Sequence, residues 1–131
     1  MNIIKMHKQL ESFKEYQQGM SALIGIWRTM MNQTLILIIV GGNDFVNNYL
    51  LMNSSTRSRQ YPLPDYVNFL ISRYRRHLQK LYDLGGRRVL VTGTRPIVCA
   101  PAKLVMHCKN GECSPELQRV AALYNPQLEQ R

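Results

Sequence analysis

The sequence has no apolar run long enough for a membrane-spanning helix. Its longest one, Leu35 to Val40, falls far short of the roughly 18 residues that such a helix needs. The N-terminus lacks the apolar core and cleavage site of a secretory signal, since Lys5, His7 and Lys8 interrupt it, so no export is expected for the chain as written. Acidic residues are few, 8 against 17 lysines and arginines, and the resulting net charge of +9 favours anionic surfaces without identifying a partner.

Cysteine is also scarce, and its spacing is not typical of a metal site. The three cysteines, Cys99, Cys108 and Cys113, cannot all pair within one chain. With His107 they could form a set of four zinc ligands, but they lack the paired short Cys-x₂₋₄-Cys knuckles of common zinc modules. The sequence therefore predicts no metal and no other cofactor.

The first half of the sequence contains a helix pattern followed by a strand pattern. The chain has 131 residues, 45% of them hydrophobic, which suits one globular domain or part of one. Apolar residues at helical spacing predict a helix from Ile3 to Ile24 that ends at Gly25. The apolar, β-branched run Thr34 to Val40 has no alternation and predicts a strand buried on both faces.

The second half repeats this alternation of helix and strand. Asn53 to Pro64 has no apolar period and predicts a surface connection. Asp65 is the predicted cap of a helix that ends at Gly85-Gly86, before a strand from Val89 to Thr92. Ser114-Pro115-Glu116 is typical of a helix start. The apolar positions of these two helices are Val67, Leu70, Ile71, Tyr74, Leu78, Leu81 and Tyr82 in the first, and Leu117, Val120, Ala121 and Tyr124 in the second.

The resulting order, helix-strand-helix-strand-helix, predicts a right-handed parallel βαβ unit within an α/β layered fold. Two strands cannot cover three amphipathic helices, and a doubly buried strand needs neighbours on both edges. We therefore expect the chain to be the middle of a larger domain.

Ligands of open parallel sheets bind beyond the carboxyl ends of the strands, here the loops after Val40 and after Thr92. The first loop starts with Gly41-Gly42-Asn43-Asp44, where glycines permit close approach of a ligand and an asparagine amide can donate a hydrogen bond to an oxyanion. The alternative is an ordinary strand-to-helix turn capped by Asn or Asp.

The segment Val40-Gly-Gly-Asn-Asp-Phe-Val-Asn-Asn-Tyr49 resembles the third sequence block, G-x-N-D, of the plant GDSL esterase/lipases, which belong to the SGNH hydrolase superfamily. Other segments resemble the same family in the same order: Gln9-Leu10, Ser21 to Gly25, Leu63 to Val67, Leu81 to Gly85, Arg88 to Gly93, Cys113 with Glu116 to Arg119, and Leu123 to Pro126. The resemblance implies a partial flavodoxin-like, three-layer α/β fold and the hydrolysis of carboxylic esters of lipids or small molecules.

The resemblance also implies roles for the first loop. Asn43 corresponds to the asparagine that helps to hold the oxyanion, and Gly41, Gly42 and Asp44 are expected to support the loop and the substrate. The family's nucleophilic serine lies in a G-D-S-L block and its histidine base in a D-x-x-H block, and this sequence contains neither. Residues 1–131 are therefore expected to be the central portion of one hydrolase domain, inactive as an isolated chain.

The loop after Thr92 departs from the family pattern. Arg95 and Val98 stand where the family usually has glycines. Because members of the family are commonly secreted and have cysteines near Cys99 and Cys113, the resemblance makes these two the first choice for a disulfide in an oxidising compartment.

Other functions are less well supported by the residues. The basic stretch Arg73 to His77 could contact phosphates, but on a helix it is typical of a solvated face, so nucleic-acid binding is not expected. Val89 to Gly93 is not followed by the G-x-G-x-x-G of a dinucleotide site. His7 and His77 are expected to be solvated. The main alternative to a hydrolase is a non-catalytic interaction or scaffold protein that uses its basic helices; oligomeric state is not predicted.

Overall fold

A computed structural model describes residues 4–23, 25–50, 56–94 and 115–129. The elements in chain order are helix α1 (Met6–Leu23), helix α2 (Trp27–Gln33), strand β1 (Leu35–Ile39), helix α3 (Gly42–Phe45), a π-helical turn (Val46–Leu50), helix α4 (Thr56–Gln60), helix α5 (Leu63–Asp83), strand β2 (Arg88–Thr92) and helix α6 (Pro115–Glu129). β1 and β2 pair in a parallel two-stranded sheet within a mostly helical chain, which is consistent with part of an α/β fold.

The described chain divides into two compact units. The first contains Met1–Leu37 and Arg73–Leu90, and the second contains Ile38–Ser72 and Val91–Arg131. The residues of β1, β2 and α5 are therefore shared out between the two units.

In the first unit, the end of α5 is fixed by glycine. Gly85 has a φ of +93°, and its N–H donates to the Tyr82 carbonyl at 2.9 Å while the N–H of Gly86 donates to the Leu81 carbonyl at 3.0 Å. These two bonds are the Schellman pattern, which satisfies the last carbonyls of a helix. The Gln17 side chain of α1 donates to the Leu84 carbonyl at 2.7 Å and ties α1 to this turn. The predicted helix end at Gly85-Gly86 is confirmed.

In the second unit, an aromatic and aliphatic core forms between the end of α3, the first half of α5 and α6. Phe45 lies edge-on to Tyr124 and to Tyr66, with ring centroids 5.1 and 5.9 Å apart. The buried members of the cluster are Phe45, Tyr66, Val67, Ile71, Val120 and Tyr124. The predicted inward positions of α6, Leu117, Val120, Ala121 and Tyr124, are all buried.

The prediction that β1 is buried on both faces is wrong. Leu35, Leu37 and Ile39 are 62%, 55% and 67% exposed, whereas Ile38 between them is buried. Because successive side chains of a strand point to opposite faces, one face of β1 is covered and the other is open in the described part of the chain. The uniformly apolar sequence is typical of a strand with cover on both sides.

Three local predictions also need correction. The first helix ends at Leu23, and the separate helix α2 was not predicted. At the end of α2 the Thr34 hydroxyl donates a hydrogen bond to the Met30 carbonyl at 2.9 Å. The connection predicted from Asn53 to Pro64 includes α4, although every residue of α4 is exposed. Asp65 lies within the first turn of α5 and not at its cap, because the helix already begins at Leu63.

Candidate functional site

The segment after β1 is a helix start and not the loop that we predicted. Gly41 is the N-cap residue, with φ +99° and ψ −38°, and its carbonyl accepts the first helical bond from the Phe45 N–H at 3.0 Å. The N-cap residue is a glycine, so neither Asn43 nor Asp44 is the N-cap residue of the alternative interpretation. Asn43 and Asp44 instead lie in the first turn of α3, directly beyond the carboxyl end of β1.

The ends of the two strands meet at Gly41. A Cβ atom added to Gly41 would lie 2.9 Å from Cε1 of Tyr124 and 3.1 Å from Cγ2 of Thr94. Thr94 follows β2, so the residues beyond both strands lie side by side, against the ring of Tyr124 from α6. Only a residue without a Cβ fits here, both for space and for the positive φ. Gly42, the next residue, is buried in the first turn of α3.

Asn125 of α6 holds the end of β2. Its Oδ1 accepts hydrogen bonds from the Thr94 backbone N–H at 3.0 Å and from the Thr94 hydroxyl at 3.1 Å. Thr94 is 3% exposed, so these bonds satisfy polar groups that water does not reach. The sequence placed Tyr124 on an apolar helix face but gave Asn125 no function. The signal for it was its place in the segment Leu123 to Pro126, which resembles the family.

Asp44 braces the first turn from inside. Its carboxylate accepts hydrogen bonds from the Asn48 side chain and from the backbone N–H groups of Asp44 and Gly41. In a capping box, an acid at the third helical position accepts a hydrogen bond from the N-cap N–H, and Asp44 forms this bond with Gly41. Burial raises the pKa of Asp44 above its usual value, although these bonds and the nearby Arg57 act in the opposite direction.

The raised pKa of Asp44 makes stability pH-dependent. The folded protein retains a proton on Asp44 at a pH where the unfolded chain has released it, so the stabilisation is complete below the ordinary carboxyl pKa and is lost as the pH rises through the raised folded-state pKa. Asp44→Asn removes this dependence. Its unfolding free energy, relative to the parent protein, should rise with pH across that interval in urea titrations.

The matched control is Asp65→Asn, which removes an exposed acid from the first turn of α5. If both variants show the same pH dependence relative to the parent, the burial of Asp44 is not its cause.

Asn43 is the exposed polar group of the site. Its Oδ1 accepts a hydrogen bond from Nδ2 of Asn47 at 3.2 Å, four residues along the chain. The carboxamide nitrogen makes no hydrogen bond to another residue of the described part of the chain. Two N–H donors are thus accessible at the carboxyl edge of the sheet, where an amide can stabilise negative charge that develops on a substrate oxygen.

Aromatic side chains pack against this turn. The ring of Tyr66 stacks on Tyr49 with centroids 4.8 Å apart, and its hydroxyl donates to the Asp44 carbonyl at 3.4 Å. Burial raises the pKa of Tyr66 to about 12, with the charge of Asp44 adding to the shift, so its hydroxyl stays a donor at neutral pH. The Tyr49 hydroxyl donates to the Tyr61 carbonyl at 2.9 Å. The turn that presents Asn43 is therefore supported by packed rings.

Other predicted residues lie elsewhere. Arg95, Val98, His107 and the three cysteines, including the Cys99 and Cys113 pair, lie outside the described residues. His77 belongs to the first unit, and the prediction that it is solvated needs correction. Its Nδ1 is buried and has no hydrogen-bond partner. Burial, and after it the positive charge of Lys80, lowers the pKa of His77. Within residues 4–94 and 115–129, apart from the undescribed gaps, no cluster of His, Cys, Asp and Glu could hold a metal. In the same residues, no helix has the length and hydropathy of a membrane span.

The sequence matches known plant proteins along nearly its whole length. A family model described as GDSL-like Lipase/Acylhydrolase matches residues 2–130. The GDSL esterase/lipase LTL1 of Arabidopsis thaliana is 60% identical over 98% of this chain, and the GDSL esterases/lipases At5g18430 and At4g28780 of the same plant are 56% and 48% identical over 98% and 99% of it. In each case the match spans 36% of the relative's length. No solved structure matches.

Proposed function

Because this chain belongs to the GDSL-like lipase/acylhydrolase family, we propose that it is the central segment of a carboxylic ester hydrolase and supplies the oxyanion-binding turn of its active site. The substrate is an ester of a lipid or a small molecule, and the reaction requires no cofactor. Asn43 donates its amide to the oxyanion, and Gly41, Gly42 and Asp44 shape and hold the turn. The serine and the histidine of the reaction come from outside residues 1–131.

The placement of Asn43 carries this proposal. The residue follows a parallel strand, is exposed, and has its carboxamide nitrogen available, while the backbone around it is fixed by Gly41 and Asp44. A donor held in place before the reaction stabilises the developing charge without reorganisation, which is the main requirement of an oxyanion site.

The open face of β1 supports a larger domain. Leu35, Leu37 and Ile39 are apolar and exposed, as expected for a strand of a flavodoxin-like, three-layer fold whose covering helices belong to other parts of the protein. The family resemblance further suggests a secreted protein in which Cys99 and Cys113 pair.

A segment exchange tests the proposal. Residues 2–130 of this chain replace the matching third of the LTL1 relative, and the chimaera is assayed on a short-chain p-nitrophenyl ester beside the chain alone. We expect the chimaera to hydrolyse the ester and a serine-directed phosphonate to abolish the reaction. The chain alone should show no turnover, because loss of a triad serine or histidine costs on the order of 10⁶ in rate.

Two results would contradict the proposal. Phosphonate-sensitive turnover by the chain alone would require a nucleophile within residues 1–131. A folded chimaera without turnover, when LTL1 itself is active in the same assay, would favour the alternative of a non-catalytic interaction protein.

A further inference from the structure

We propose that Asn47 is a positioning residue that sets the orientation of the Asn43 carboxamide, so that the N–H end and not the carbonyl end faces the substrate oxygen. This inference rests on the proposed function of Asn43. The evidence for it is the hydrogen bond from Nδ2 of Asn47 to Oδ1 of Asn43, at 3.2 Å.

The orientation of this amide matters because its two ends have opposite polarity. A rotation of about 180° about the last side-chain bond exchanges the N–H donors for a carbonyl acceptor at nearly the same position. In one orientation the group stabilises an oxyanion, and in the other it repels one. Asn43 is exposed, so packing alone does not choose between the orientations. A hydrogen-bond donor directed at the Asn43 side-chain oxygen favours one orientation over the other.

Asn47 is itself well placed to act as a fixed donor. It lies in the π-helical turn Val46–Leu50, between two anchored neighbours. Val46 is 5% exposed and packs in a cluster with Leu117 and Ala121 of α6. Tyr49, two residues further on, stacks on Tyr66. The backbone that carries Asn47 is thus held by the core of the second unit.

The sequence repeats the same spacing at the next position. Asn48 donates to the carboxylate of Asp44, four residues before it, as Asn47 donates to Asn43. Residues four apart are neighbours on one helical face. The two asparagines therefore have different roles. Asn48 bonds to Asp44, which holds the turn, and Asn47 bonds to the exposed Asn43.

A purely structural role for Asn47 is the alternative, since side-chain pairs four residues apart stabilise helices by small amounts. The two explanations differ in their effect on catalysis. A structural pair affects the midpoint of unfolding and has little influence on kcat. A positioning residue affects kcat at constant KM, and its effect disappears when Asn43 is absent.

The test uses the chimaera with LTL1 and three variants of Asn47. Asn47→Asp keeps the shape but can only accept at neutral pH, so it takes an N–H of Asn43 and turns the carbonyl toward the substrate; we expect kcat to fall by about 10²-fold, as for the loss of an oxyanion donor. Asn47→Ala removes the preference without reversing it and should lower kcat by about 2-fold to 10-fold, the net worth of one neutral hydrogen bond. Asn47→Gln keeps the donor and should retain most of the activity.

Two controls separate positioning from other effects. Asn68→Asp adds the same charge at an exposed position of α5 and should leave kcat unchanged. In an Asn43→Ala background, Asn47→Asp should have little further effect, because its action passes through Asn43. A full additional loss in that background would show direct repulsion of the substrate and would overturn the proposal, as would equal kcat values for the Ala and Asp variants.

A second measurement keeps the inference testable if the chimaera is inactive, a result that contradicts the proposed function alone. In the ¹⁵N-asparagine-labelled chain, the side-chain amide signals of Asn47 should shift when Asn43 is replaced by alanine and stay in place when Asn68 is replaced. Unchanged Asn47 signals would show that the hydrogen bond is absent.

Discussion

Replacing Asn43 with alanine in the chimaera should lower kcat by about 10²–10³-fold and leave KM nearly unchanged. The reason is that the negative charge on the substrate oxygen develops only in the transition state, so the amide contributes little to the binding of the ground state. The structure supports an effect on catalysis alone, because Asn43 is exposed and, in the described part of the chain, its side chain bonds to that of Asn47. The backbone of the turn is held by other groups and should survive the change.

The measurement is steady-state kinetics on a p-nitrophenyl ester, with Asn68→Ala as the matched control on an exposed helical surface. A loss confined to KM would place Asn43 in substrate binding and not in the stabilisation of the oxyanion. An equal fall in the Asn68 variant would indicate a general defect of folding.

The second large effect is expected from Gly41→Ala, which should reduce the free energy of unfolding by about 2–5 kcal/mol, the sum of left-handed strain and overpacking. The strain arises from a φ of +99°, and the overpacking from a Cβ 2.9 Å from the Tyr124 ring and 3.1 Å from the Thr94 methyl. Neither neighbour can retreat easily, because Tyr124 is 2% exposed and Thr94 is bonded to Asn125. Denaturant unfolding of the chimaera measures the loss.

Gly85→Ala provides a close control for this experiment. Gly85 has nearly the same φ, +93°, but a Cβ added there would meet nothing within 4 Å. The Gly85→Ala variant should therefore lose only the part of the unfolding free energy that comes from backbone strain, about 1–2 kcal/mol. Equal losses for the two variants would mean that the close approach of Gly41 to Tyr124 and Thr94 does not constrain the protein. The difference between the two losses measures how tightly the ends of the strands are packed.

Much of the local structure was predictable because it depends on near neighbours in the chain. The apolar spacing along α5 and α6, the glycines after α5 and the proline at the start of α6 each act within a turn or two, so the pattern of residue types already contains the information. The same holds for the family, since the run from Val40 to Tyr49 resembles the G-x-N-D block before any contact is known, and the matches over nearly the whole chain confirm that assignment.

Other features were beyond prediction because they depend on residues far apart in the sequence. Whether β1 is covered on one face or two is decided by which elements are present to cover it, and the residues of the strand are the same in either case. The helix that begins at Gly42 was predicted as a loop because glycines and an Asn-Asp pair are typical of both.

The sequence by itself determined the order of the three long helices and the two strands, because this follows from residue types and their spacing. Its resemblance to the family also indicated Asn43 as the candidate oxyanion donor. Only the tertiary structure decided that Gly41 must lack a side chain, that Asn125 holds Thr94, and that Asp44 is partly buried with a raised pKa. The physical reason is distance along the chain: Tyr124 and Asn125 are more than 80 residues from Gly41 and about 30 from Thr94, and close contact between them exists only after α6 has packed beside the ends of the strands.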